Sequence, residues 1–178
     1  MMKNVRSIAK PLSGEYPEYA AMYINLLPGD GRVLDHLWSN FIMMKEKIYP
    51  LPESKLLFRY DPGKWTIKET LVHIIDDERI YAYRALRFAR HDEIALPGFE
   101  QDEYAKQSGA NERTLDNIFD EYESVRRSTI AMFNGFPEES LARMGTANGN
   151  GASVRSMAYH IAGHELHHYN LIRTKYLY

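Results

Sequence analysis

The stretch Thr66-Ile67-Lys68-Glu69-Thr70-Leu71-Val72-His73-Ile74 opens with a hydroxyl and carries a carboxylate three residues later. That order matches a capping box, in which Thr66 and Glu69 each satisfy a backbone N–H that a helix start would otherwise leave unpaired. Asp61-Pro62-Gly63 supplies the turn before it. The helix that follows is expected to reach about Arg90, with Ile67, Leu71, Ile74, Tyr81, Ala85 and Phe88 on one apolar face. A stripe of that length has to be buried against other helices.

Three more segments have the same periodicity. One covers about 33–49, with Leu34, Leu37, Trp38 and Phe41 aligned, Asp30 as its candidate cap and Pro50 and Pro52 closing it. Another covers about 114–133, and the last about 154–176, with Ser153 as N-cap. A shorter helix is expected over about Glu18–Leu27, and residues 1–15 read as an arm. Pro97-Gly98 opens a connection reaching about Arg113, long enough for a crossover. Asn148-Gly149-Asn150-Gly151 reads as a flexible loop, with a lid as the less favoured alternative, and no strand pattern stands out. The expectation is one domain over 1–178, all-α, a four-helix bundle with a long crossover.

Composition narrows the chemistry. The 178 residues include no cysteine, which excludes disulfides, thiolate metal sites and a cysteine nucleophile. Any metal has to be held by His, Asp or Glu. With 22 Lys+Arg against 24 Asp+Glu, the net charge of −2 offers no broad basic field for nucleic acid. No apolar run approaches the roughly 20 residues that span a bilayer. No apolar signal-peptide core opens the chain, so a cytoplasmic protein without a membrane partner is expected. The 13 tyrosines suggest half-polar packing layers or a partly wet cavity.

Four of the seven histidines fall close together: His160, His164, His167 and His168. His164 and His168 lie one helical turn apart, on the face that also carries Met157, Ile161 and Leu171. Two imidazoles on a buried face are either a hydrogen-bonded core pair or ligands of one ion. His73, at the edge of the second helix's apolar face, would complete a three-nitrogen site with an open position, the pattern of a reactive metal centre. Asp77, one turn on, could orient that ring or bind the ion; it could equally be an exposed carboxylate beside Asp76 and Glu78. His164-Glu165-Leu166-His167-His168 formally matches H-E-x-x-H, but no third ligand follows it and no sheet edge is foreseen to hold a peptide. Glu165 stays a candidate acid/base.

Pro62-Gly63-Lys64-Trp65-Thr66-Ile67-Lys68-Glu69, then His73-Ile74-Ile75-Asp76-Asp77-Glu78-Arg79, then Ala162-Gly163-His164-Glu165-Leu166-His167-His168 resemble the DinB/YfiT-like superfamily. The likeness extends from about Tyr16 to the C-terminus. It implies a four-helix bundle, often dimeric, and a divalent ion, commonly nickel or zinc, held by three histidines that correspond to His73, His164 and His168. His160 corresponds to a position often His without being a ligand. Some relatives are S-transferases that use a low-molecular-weight thiol.

Arg79, Arg84, Arg87 and Arg90 crowd the second helix and read first as solvated charges paired with Asp76, Glu78 or Glu93, second as a rim steering an anion to the metal. Trp65 reads as an anchor for the helix start. The leading expectation is a metal-dependent transferase or hydrolase for a small molecule. The alternatives are a non-enzymatic metal- or small-molecule-binding stress protein, and a scaffold whose histidines are purely structural.

Overall fold

A computed structural model of the chain describes residues 5–177, so the first four residues of the expected arm lie outside the described residues. A 3-10 turn at Glu18–Ala20 runs into α1 (Ala21–Ile24). Then come α2 (Val33–Ile48), the single turn α3 (Glu53–Leu56) and α4 (Ile67–Ala89). The crossover contains α5 (Gln101–Gln107) and a 3-10 turn at Ala110–Glu112, and α6 (Leu115–Asn134) follows. The chain closes with β1 (Met144–Ala147), β2 (Asn150–Ser153) and α7 (Val154–Lys175).

The four long helices form the bundle. α2 packs on α6 and α7, and α4 packs on the same two, so α2 and α4 sit diagonally across the core. The diagonal step from α2 to α4 is made through residues 49–66, which include α3, while the longer connection that carries α5 joins the neighbouring α4 and α6. Two apolar clusters fill the interior. One gathers Leu34, Leu37, Phe88, Ile130, Phe133 and Met157; the other gathers Phe41, Ile67, Leu71, Ile75, Phe119 and Ile172. Among the described residues no helix is long and apolar enough to cross a membrane.

Local chemistry sets the helix starts. Thr66 Oγ1 accepts from Glu69 N at 3.0 Å, and the Glu69 carboxylate accepts from Thr66 N at 2.7 Å, so the capping box is formed. Ser153 caps α7 by accepting from Ser156 N at 3.1 Å. Asp30 does not cap α2. The N-cap position is Arg32, and the Asp30 carboxylate instead accepts from Arg32 N at 2.9 Å and meets Nε2 of His36 at 2.9 Å.

Asn148–Gly151 is not a loose loop, and the expectation of no strands was wrong. β1 and β2 pair antiparallel, Ala147 opposite Asn150, around a two-residue turn in which Asn148 and Gly149 take φ of 50° and 72°. Asn-Gly suits such a turn because both central residues need positive φ. Leu96 joins the hairpin, its N–H bonding Thr146 O at 2.9 Å and its carbonyl accepting from Asn148 N at 2.9 Å. The strands are four residues each, too short for an alternating pattern to be visible.

The short α1 lies against α7. A Cβ on Gly163 would come within 2.2 Å of the Tyr23 carbonyl oxygen, so this contact requires glycine on α7. It sets the Tyr23 ring among His160, His164 and His167, edge-on at 5.1 to 5.3 Å between ring centres.

Candidate metal centre

His73 projects from α4 and His164 and His168 from α7, the pair of helices in closest contact. All three are buried. Nε2 of His164 lies 3.1 Å from Nε2 of His73 and 3.1 Å from Nε2 of His168. One nitrogen from each ring falls within 4.8 Å of the others.

Hydrogen bonds alone do not account for this convergence. Nδ1 of His164 faces Oδ2 of Asp77 at 3.3 Å, which favours a proton on Nδ1 and a lone pair on Nε2. That single lone pair would then have to accept from two rings at once. Three lone pairs around a cation resolve the conflict. Two nitrogens, each about 2.0–2.1 Å from one tetrahedral ion, lie roughly 3.3 Å apart, close to the spacing here. The donor set fits a divalent ion with a position left for another ligand.

Electrostatics favours the neutral rings that a metal needs. Burial is the largest influence on all three and pushes their pKa down. Asp77 opposes this at His73 and His164, and the neighbouring rings reinforce it. For Asp77, burial pushes up, but His164 and His160 outweigh it and the carboxyl is held at about 2.

Asp77 therefore faces His164 rather than His73, the ring expected from their one-turn spacing. Its Oδ2 also lies 3.4 Å from Nε2 of His160, but neither contact is aligned as a formed hydrogen bond. His160 is buried and stacks on Tyr81 with ring centres 3.7 Å apart. Trp65 does more than anchor the helix start: its ring centre lies 4.6 Å from that of His73, and its ring is nearly parallel to His168.

Glu165 is turned to a different task. One oxygen accepts from Tyr122 Oη and the other from Arg126 Nη1 at 3.0 Å, and Arg126 also holds Glu78 at 2.9 to 3.1 Å. Glu78, Arg126 and Glu165 are fully buried. Glu165 is thus held as a core ion-pair partner, turned to Tyr122 and Arg126. Arg126 was not foreseen, although it falls on the same helical stripe as Phe119, Tyr122 and Phe133. Glu78, expected to pair with the arginines of α4, pairs with Arg126 instead. Arg79 bonds Glu121, Arg87 bonds Asp92 and Tyr83, and Arg84 donates to Pro97 O at 3.1 Å.

Two clefts flank the triad. One of about 570 Å³ is lined by Trp65, Thr70, His168, Leu171, Asp102 and Lys106. The other, of about 280 Å³, is lined by His164, Asp77, His160, Tyr23 and Phe99. The first turn of α5 separates them, with Gln101 on one side and Asp102 on the other.

A family model described as the DinB superfamily matches residues 35–172. A protein of Oceanobacillus iheyensis, named by inference as a metal-dependent hydrolase, is 30% identical over 125 residues, spanning 69% of this chain and 71% of that protein. Among solved structures, YfiT from Bacillus subtilis, described as a probable metal-dependent hydrolase with an unusual four-helix bundle topology, superposes with a TM-score of 0.70. At 14% identity it covers 92% of this chain and 91% of its own, a likeness of fold.

Proposed function

Because the chain belongs to the DinB superfamily, we propose that it is a metal-dependent hydrolase of a small molecule, with nickel or zinc held by His73, His164 and His168. The convergence of three buried rings, with Nε2 of His164 3.1 Å from Nε2 of both His73 and His168, carries this reading. The inferred hydrolase activity of the Oceanobacillus relative supports it.

Each residue has a physical task in this account. The two histidines of α7 and the one of α4 hold the ion between two helices that the core already locks together. When bound, the ion supplies Lewis acidity, which makes an incoming water or thiol nucleophilic near neutral pH. Asp77 keeps the His164 proton on Nδ1 and so leaves Nε2 free to ligate. Trp65 packs against His73 and lies nearly parallel to His168, which helps to hold both rings in place beside the cleft that Trp65 and His168 line. Glu165 takes no part in proton transfer; it anchors α7 to α6.

The test is turnover by metal-stripped protein reloaded with nickel or zinc, on small esters and amides, with and without a low-molecular-weight thiol. Metal-dependent hydrolysis absent from a His73→Ala/His164→Ala/His168→Ala variant is expected. Turnover only with added thiol would replace hydrolysis by S-transfer at the same ion. Tight metal binding without turnover on any substrate would leave a binding protein and end the enzyme reading.

A further inference from the structure

The smaller cleft beside His164 has a chemical character of its own. Its floor is Asp77 and His160, both 4% exposed. Oδ2 of Asp77 and both ring nitrogens of His160 have no formed hydrogen bond among the described residues. Buried polar atoms in that condition are costly unless something binds them. Glu100, exposed, stands at the mouth. The phenols of Tyr19 and Tyr81 meet at 3.3 Å over the same space, and Tyr23 forms a side wall. No lysine or arginine lines it. Arg84 lies over the Tyr81 ring, but its guanidinium is turned to the Pro97 carbonyl.

We propose that this cleft binds a primary ammonium group, which donates to Asp77 and to the tyrosine oxygens. The lining offers acceptors and the negative charge of Asp77 and Glu100 and lacks Lys or Arg, which disfavours carboxylates and phosphates. A primary ammonium brings three N–H donors and one positive charge, which match the unpaired Asp77 oxygen and the acceptor nitrogen of His160. Asp77 also faces His164, so an amine bound here sits behind the proposed metal ligand and competes with it for the same carboxylate.

Calorimetric titration of the protein as purified, with its metal content recorded, tests this with n-butylammonium, 1-butanol and butyrate. Saturable binding of n-butylammonium at one site is expected, with at least tenfold weaker binding of the alcohol and none of butyrate. Asp77→Asn is expected to weaken the amine at least tenfold. Glu100→Gln, at an exposed position that does not endanger folding, should weaken it two- to fivefold. Amide shifts in the NMR spectrum should cluster at Tyr19, Tyr23 and Gln101. Equal binding of amine and alcohol, an affinity unchanged in both variants, or shifts centred on Trp65 would overturn the proposal. The readout is amine binding alone, so its failure is distinct from failure of the metal reading, which metal content decides.

Discussion

Nδ1 of His164 faces Oδ2 of Asp77 at 3.3 Å while Nε2 of the same ring faces His73 and His168 at 3.1 Å each. One imidazole thus links a buried carboxylate to a cluster of nitrogen lone pairs. In the proposed metal site, the carboxylate favours a proton on Nδ1 and leaves Nε2 to ligate.

Asp77→Asn should therefore weaken metal binding by roughly 10–100-fold, the usual range for removal of a group that orients a ligand. Far-UV circular dichroism should stay helical. Competition with a chromophoric chelator measures the change; an affinity equal to the parent's would remove Asp77 from this role.

Acid should destabilise the metal-free protein in two steps. The three histidines have folded pKa values below the ordinary 6.5, so below that pH the unfolded chain takes up protons that the folded chain refuses. Stability then falls as pH drops through 6.5. Asp77 is depressed from 3.8 to about 2, so its contribution is fully present above 3.8 and is lost as pH falls through about 2. Urea unfolding at pH 7.5 and pH 5.5 checks the first step. In the His73→Ala/His164→Ala/His168→Ala variant this part of the pH dependence should shrink.

Arg126→Ala should cost about 3–5 kcal/mol, because it leaves Glu78 and Glu165 buried without their cation. Combining Arg126→Met with Glu78→Leu and Glu165→Leu should recover much of that loss. If the Arg126→Ala chain unfolds at the parent's urea midpoint, the core ion-pair assignment fails.

Gly163→Ala should cost about 1–3 kcal/mol, since a Cβ would press on the Tyr23 backbone rather than on a movable side chain. Its thermal midpoint should drop, and the Tyr23 ring should lose its contacts with the three histidines.

Much of the bundle could be read from its sequence because the decisive signals are local. Thr66 and Glu69 announce α4, and the apolar stripes of α2, α4, α6 and α7 lie within one residue or so of their final bounds. His164 and His168 were legible as a pair because one turn separates them, and His73 joined them through the mutual packing of α4 and α7. Non-local features were hidden. Nothing near Glu165 in sequence says that Arg126, 39 residues away, will claim it. Asp77 was linked to His73 by helical spacing, yet its position between α4 and α7 turns it to His164. The contact of Gly163 with Tyr23 depends on how α1 folds back. Asn148-Gly149 signalled a turn, but only Leu96 and Phe88, from elsewhere in the chain, show what the hairpin packs against.

Metal content bears most directly on the central claim. Protein made without a histidine tag, and exposed to nickel or zinc then desalted, should carry about one ion per chain, and the folded His73→Ala/His164→Ala/His168→Ala variant almost none. Equal metal in both, or none in the parent after loading, would contradict a metal centre built from these three histidines.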